Sequence, residues 1–287
     1  MTRERSLVRG ICLCGAVTYQ AHGPFNMMVH CHCSMCRKHH GAAFATFVGA
    51  PLMGFKWLAG AEQIECYASS EKGRRCFCRH CGSVAPLLIE EMDLALLPAG
   101  NLEGDPGIRP QCHIFVGSKA PWYRINDDLP QHEEYPPELG MGGVARPIVE
   151  PREDAVLGSC LCKSIEYEIK GQPVRSAHCH CSRCRRGRSA AHASNLFYKL
   201  DDFRFTRQEV PIGDYRVPDA KYFGVSFCTR CGSAVPRVSI ERKAVVVPAG
   251  ALDTDPGVQP AMHIYVADKA CWFEITDSLP QHAAAPA

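Results

Sequence analysis

The chain lacks a surplus of either charge: 32 Lys and Arg against 30 Asp and Glu leave a formal +2 over 287 residues. That balance excludes a strongly basic protein devoted to nucleic acid or to an anionic membrane surface. No apolar run approaches the roughly 20 residues that span a bilayer. The opening Met1-Thr-Arg-Glu-Arg-Ser-Leu-Val-Arg9 has no hydrophobic stretch of the kind a secretory signal needs. Nor is the chain short of apolar residues, as a disordered one would be, since 46% are hydrophobic. These absences lead to the expectation of a folded cytoplasmic protein with neither membrane nor nucleic acid as partner.

What is present in excess is cysteine, at 18 residues. A secreted disulfide scaffold would use as many, but nothing at this level points to an oxidising compartment. The spacings favour metal ligation instead. Cys12-Leu-Cys14, Cys31-His-Cys33-Ser-Met-Cys36 and Cys78-Arg-His-Cys81 are too tight for several separate disulfides and suit one ion each.

These clusters recur. Gly10-Ile-Cys-Leu-Cys-Gly15 returns as Gly158-Ser-Cys-Leu-Cys162, and His30-Cys-His-Cys-Ser34 as His178-Cys-His-Cys-Ser182, both at an offset of 148. Phe77-Cys-Arg-His-Cys-Gly-Ser83 returns as Phe227-Cys-Thr-Arg-Cys-Gly-Ser233 at 150, and that offset holds through Leu129-Pro-Gln-His132. A two-residue insertion between Arg216 and Phe223 accounts for the change. The chain is a tandem repeat, with a first zinc domain expected over 1–134, a Pro/Gly-rich linker over 135–154 and a second zinc domain over 155–287. Pro136, Pro137, Pro147 and Pro151 with Gly140, Gly142 and Gly143 bar a regular helix or central strand from that linker.

Within each copy the pattern is mainly β. Ile165, Tyr167 and Ile169 alternate with Glu166, Glu168 and Lys170, as a half-buried strand does, and Val17 and Tyr19 do the same earlier. Leu87–Ile89, Val245–Val247, Ile114–Val116 and Ile264–Val266 read as short strands. The only helical signal is a turn or two after Ser34-Met-Cys36 and Ser182-Arg-Cys184. His113 and Trp122, returning as His263 and Trp272, read as a satisfied imidazole and an indole in a sheet core.

Two kinds of metal site follow. Cys78-x-x-Cys81-Gly82 and Cys228-x-x-Cys231-Gly232 have the form of a zinc knuckle, and Cys12 with Cys14, or Cys160 with Cys162, supplies the second pair of a closed four-thiolate site. Cys31, Cys33 and Cys36, and likewise Cys179, Cys181 and Cys184, offer only three thiolates. Three protein ligands and an open position describe a catalytic zinc; the alternative is a fourth ligand from His30, His32, His178 or His180. Four zinc ions per chain are expected. Fourteen thiolates and four such ions turn the formal +2 into −4, which again speaks against nucleic acid. The basic run Arg183, Arg185, Arg186 and Arg188 is read as compensating the three-thiolate centre or an anionic ligand. Cys66, Cys76, Cys112 and Cys271 do not recur and are read as small buried or surface residues.

Gly10-Ile-Cys-Leu-Cys-Gly-Ala-Val-Thr-Tyr19, Cys31-His-Cys-Ser-Met-Cys-Arg-Lys38, Phe77 to Ser83 and His113-Ile-Phe-Val through Leu129-Pro130 together resemble the glutathione-dependent formaldehyde-activating enzyme family, or S-(hydroxymethyl)glutathione synthases. The likeness covers 8–132 and again 156–282. It implies two β-tent domains, each braced by zinc, and a carbon–sulfur lyase activity that joins or releases glutathione and an aldehyde such as formaldehyde. It assigns Cys12, Cys14, Cys78 and Cys81 to a structural zinc and Cys31, Cys33 and Cys36 to the reactive one. The second set is Cys160, Cys162, Cys228 and Cys231, with Cys179, Cys181 and Cys184 reactive. The non-catalytic alternative is a zinc module that binds a thiol or a protein through the same pocket. Arg37 and Lys38 are placed to meet the carboxylates of glutathione, or else are solvated helix charges. Around the conserved ligands the copies differ: Lys38 becomes Arg186, Gly41 Ser189, Phe44 His192 and Arg75 Val225. The first copy is expected to carry most activity, and His192 is a candidate to close the second site.

Overall fold

Alternation sets the strands. Leu7–Ile11 (β1) and Thr18–His22 (β2) turn every second side chain inward, Val8, Tyr19 and Ala21 among them, as the two-residue period of a half-buried sheet requires. The computed structural model describes residues 6–71, 73–139 and 155–286. After β2 come Met27–Cys31 (β3), Ser34–His40 (α1), Ala45–Pro51 (β4), Phe55–Ala59 (β5), Ile64–Ala68 (β6) and Arg74–Cys78 (β7). Leu87–Ile89 (β8), Leu94–Pro98 (β9), Leu102–Glu103 (β10) and Cys112–Ile114 (β11) complete the first copy. They form a four-stranded sheet β10-β1-β2-β5, a five-stranded sheet β11-β3-β4-β9-β8 and the hairpin β6-β7.

The second copy repeats this order. Its elements are Val156–Ser159 (β12), Ile165–Ile169 (β13), Arg175–Cys179 (β14), Ser182–Arg188 (α2), Ala193–Lys199 (β15), Phe203–Gln208 (β16) and Ile212–Arg216 (β17). Gly224–Cys228 (β18), Ala234–Val235 (β19), Arg237–Ser239 (β20), Ala244–Pro248 (β21), His263–Ile264 (β22) and Gln281–His282 (β23) follow. The extra two residues of this copy fall in the turn between β17 and β18. The chain is thus mainly β with two short helices, and no helix among the described residues is long and apolar enough to cross a membrane.

Two expected strands end early. β11 stops at Ile114 and β22 at Ile264, because Phe115 and Tyr265 take positive φ of 58° and 57°. The turn aims the next amides at the returning segment: Phe115 N–H donates to Glu134 O and Val116 N–H to His132 O. Of the linker, Pro137–Leu139 forms a 3-10 turn, and residues 140–154 lie outside the described residues.

The copies share one core. Tyr19, Met28, Phe44, Val48 and Leu97 from the first pack in the same buried cluster as Tyr167, Ile169, Leu196, Tyr198 and Trp272 from the second. The close approach needs glycine: a Cβ on Gly100 would meet Ala190 N at 2.1 Å, and one on Gly250 would meet Ala42 O at 2.3 Å. These are backbone atoms, so no side-chain shift could make room.

Ion pairs across this interface follow the repeat. Lys38 Nζ lies 2.6 Å from Asp253 Oδ1, with side chains only 4% and 6% exposed. The equivalent pair, Arg186 and Glu103 at 3.0 Å, is 33% and 48% exposed. Lys38 also donates to Ser159 O and Oγ, so all three of its N–H groups are engaged. Burial pushes the Lys38 ammonium down to about 8, with Asp253 opposing it. Burial works against the Asp253 carboxylate too, but Lys38 and Ser159 hold it below its ordinary range.

Removing one member of a buried pair strands the other charge. Asp253→Ala should therefore destabilise the protein by about 3 kcal/mol, and Glu103→Ala by no more than about 1 kcal/mol. Urea unfolding of the two variants tests the difference. Because the folded-state pKa of Asp253 is depressed, its contribution is present above the usual aspartate pKa and is lost as pH falls through the folded value. The gap between wild type and Asp253→Ala should accordingly close on acidification.

Candidate metal centres

Each four-cysteine set joins a turn to a knuckle. Cys12 and Cys14 lie in the turn between β1 and β2, and Cys78 and Cys81 close β7. Their sulfurs all lie within 4.8 Å of one another, with Cys12–Cys14 at 3.4 Å and Cys14–Cys78 at 3.7 Å. In the second copy Cys160–Cys162 is 3.5 Å and Cys162–Cys228 3.7 Å. Zinc–sulfur bonds of about 2.3 Å in a tetrahedron set sulfurs about 3.8 Å apart, so both sets fit one such ion. Backbone amides face the sulfurs, Val17 N–H to Cys12 Sγ and Ile165 N–H to Cys160 Sγ at 3.3 Å each. Gly82 and Gly232, at φ of 68° and 69°, make the knuckle turns. A Cβ on either would meet Phe227 or Phe77 of the other copy at 2.5 or 2.4 Å, so the knuckles also form part of the interface.

The three-cysteine sets are built differently. Cys31 ends β3, Cys33 caps α1 by accepting from Cys36 N–H at 3.2 Å, and Cys36 sits in the first turn. Cys179, Cys181 and Cys184 repeat this around α2. Each set lies within 4.8 Å and no histidine joins either one among the described residues. Cys31–Cys36 is 3.6 Å and Cys179–Cys181 3.7 Å, again the separations of sulfurs around one ion. Hydrogen bonds from Cys31 and Cys36 hold the Cys33 thiol well below its ordinary pKa. Those from Cys179 and Cys184 bring Cys181 down to about 3. Each cluster thus carries negative charge that a bound cation would offset.

None of the histidines considered for these sites joins a three-cysteine cluster among the described residues. His30 Nδ1 pairs with Thr46 Oγ1 at 2.8 Å, and His178 Nδ1 with Ser194 Oγ at 2.9 Å. His192, the candidate for the second site, instead packs edge-on to Phe44 of the first copy at 5.6 Å between centroids. His32 Nε2 lies 2.8 Å from His113 Nδ1, and His113 Nε2 reaches both oxygens of Asp127 at 3.0 and 3.1 Å. His180, His263 and Asp277 repeat the chain. A carboxylate only accepts, so His113 carries Nε2–H, its Nδ1 accepts from His32 Nε2–H, and His32 Nδ1 is left as a buried lone pair without a partner. Asp127 and Asp277 went unremarked in the sequence, although each stands two residues before a repeated Leu-Pro.

Several sequence expectations need correcting. Lys38 is neither solvated nor free for a ligand, since the second copy occupies it. Arg186 pairs with Glu103, and Arg183 lies 3.8 Å from Asp219, so those two cations are matched by carboxylates. Arg37 is half-buried, and its Nε donates to Ser118 O. Cys66 and Cys76 form a disulfide, because the β6–β7 register sets them directly opposite each other. Their counterparts are Asp214 and Ser226, linked by a hydrogen bond of 3.0 Å. Cys112 and Cys271 are unpaired.

Residues 7–118 and 155–268 each match the family model described as glutathione-dependent formaldehyde-activating enzyme. The chain belongs to that family. Both matched segments contain all seven clustered cysteines of their copy, so the family unit is present twice. A crystal structure of a Rhodobacter sphaeroides protein is 28% identical over 34% of this chain and 89% of that one, with a TM-score of 0.28. No curated protein matches the chain.

Native mass measurement should find four divalent metal ions per chain, with the three-cysteine sites losing theirs first to a chelator. Two or fewer in fresh protein would contradict the geometry. Cys78→Ser should unfold its copy, since a structural metal contributes folding free energy directly, whereas Cys36→Ser should keep native circular dichroism and lose one ion.

Proposed function

We propose that the protein is a zinc-dependent enzyme of the carbon–sulfur lyase type, joining or releasing a small thiol such as glutathione and an aldehyde such as formaldehyde at its three-cysteine sites. The observation that carries this reading is a buried trio of sulfurs with no fourth protein ligand among the described residues, in a chain of this family. The four-cysteine sites, closed by their own ligands, serve the fold. Sixteen unpaired cysteines, fourteen of them in these clusters, suit a reducing compartment, and we place the protein in the cytoplasm.

A free thiol has a pKa near 8.5 and is mostly protonated at neutral pH. Cys31, Cys33 and Cys36 would hold a zinc ion, which would supply positive charge that favours the thiolate form of an added thiol. The chain does the rest. The β3–α1 turn fixes Cys31, Cys33 and Cys36 at one edge of the five-stranded sheet. The Asp127–His113–His32 chain clamps the residue between the first two ligands from behind. Arg37, fixed at Nε by Ser118, keeps terminal N–H groups for a carboxylate of the thiol. In the synthetic direction the sulfur lone pair forms the C–S bond, the C=O π pair moves to oxygen, and the proton lost by the thiol ends on that oxygen as the hydroxyl of a hemithioacetal. The reverse path releases thiol and aldehyde.

Incubation with glutathione and formaldehyde, followed by mass spectrometry of the products, should show S-(hydroxymethyl)glutathione forming faster than without protein. Cys31→Ser should lower this rate more than Cys179→Ser, because the surroundings of the second site have diverged. Equal losses would mean that both sites work, and no acceleration by wild type would leave a binding module as the better reading.

A further inference from the structure

The cleft beside Cys36 contains charge and polarity that the interior of the protein leaves unmatched. It is lined by Cys36, His39, His40, Arg75 and Cys76, with Phe47, Val84, Leu87 and Leu96 among its apolar walls. Arg75 Nε is buried without a hydrogen-bond partner, as are the Nε2 atoms of His39 and His40. The Arg75 guanidinium makes one long bond, from Nη1 to Arg74 O at 3.4 Å, and pairs with no carboxylate among the described residues. The strand that bears it, β7, pairs with β6 along its whole length, Tyr67 facing Arg75.

A half-buried guanidinium with no carboxylate partner among the described residues favours an anion at this wall. Arg75 shares the wall of this cleft with Cys36, one of the three clustered sulfurs of the first copy. Three thiolates around a divalent ion carry a net −1, and a fourth thiolate makes −2. A cation at this wall offsets that added charge.

The second copy lacks the device. Val225 replaces Arg75, and Gly187 and Arg188 replace His39 and His40. Val225 packs on α2, with its Cγ1 3.0 Å from where a Cβ on Gly187 would lie. Arg188 is no substitute. It is buried at the interface, and its carbonyl accepts from His40 Nδ1–H at 2.9 Å.

We propose that the cleft beside Cys36 is a thiolate-selective subsite present only in the first copy, in which Arg75 holds the anionic sulfur of an incoming small thiol against the three-cysteine centre. The inference rests on the proposed thiol chemistry and adds the residue that makes the two centres unequal. The cleft, open to solvent on one side, has a volume of about 20 Å³, room for a water or so, which suits a sulfur head with the remainder of the thiol outside. Arg75 is a positioning residue that raises the affinity for the charged form.

The test uses full-length protein loaded with cobalt(II) in a Cys179→Ser background, so that binding of an added thiol is read in the cobalt–thiolate absorption of the first centre. Arg75→Val, the residue of the second copy, should weaken both glutathione and 2-mercaptoethanol about tenfold, the scale of one charge-assisted contact, with metal content unchanged. Arg75→Gln, which keeps a polar side chain without charge, should do the same. If either variant binds both thiols as tightly as the parent, the proposal is overturned. If only glutathione weakens, Arg75 meets a carboxylate and its placement on sulfur is wrong. If the parent itself shows no response to either thiol, the thiol chemistry fails and this subsite with it.

Discussion

Cys14 and Cys78 lie 64 residues apart in the chain and 3.7 Å apart in space, and much of each copy is organised by holding such sulfurs together. Buried thiolates at that separation repel one another strongly, so the set cannot ionise in full without a cation among them. Its geometry, a β1–β2 turn facing a knuckle, joins the start of the copy to its middle. Small β-rich units have little core to stabilise them, and a metal ion held by such a set would supply what the sheets do not. The three-sulfur set asks less of the fold, because its ligands lie within six residues along one turn and a helix start. That difference in span separates a site that holds the chain together from one that the chain merely presents.

Duplication added a second source of stability, the core shared by the two copies. The interface reuses the same elements from both sides: knuckle glycines against Phe77 and Phe227, helix ends against Gly100 and Gly250, and a cation of α1 or α2 against a carboxylate of the other copy. Its symmetry is incomplete in a telling way. The Lys38–Asp253 pair is sealed while Arg186–Glu103 is open to solvent. A sealed pair constrains its helix more tightly than an open one, since it must keep its partner satisfied. Thus α1, which carries the ligands of the first centre, is held more firmly, while α2 has accepted Gly187, Arg188 and Ser189 in place of His39, His40 and Gly41.

Much of this was legible from residues alone. The repeat, the two helix turns, most strands and all four sulfur clusters follow from spacing, because metal ligation and β alternation are local rules that write themselves into short stretches of sequence. What escaped was set by the meeting of distant segments. Lys38 and Arg37 look alike as neighbouring helix cations, and only the position of the second copy decides that one is buried against Asp253 while the other stays half-exposed. Cys66 and Cys76 differ from the repeated cysteines only in having no counterpart, and their bond depends on a hairpin register. The strand endings at Phe115 and Tyr265 depend on a segment that returns some 20 residues later to take their amide hydrogens.

The same dependence on distant contacts bears on how a centre with so little protein scaffolding keeps its shape. Cys31 and Cys33 flank His32, and that imidazole is held by His113, which is held in turn by Asp127. Each link has its donor fixed by the one before it, beginning at a carboxylate that can only accept, so the ring cannot rotate without breaking a buried bond. A turn that would otherwise flex between two ligands is therefore set from the side away from the reactive edge. The arrangement is present in both copies, whereas Arg75 is present in the first alone. The shape of the sulfur trio is thus set by links within the sheet that both copies share, whereas its charge environment rests on a few residues of a hairpin and a helix that differ between them.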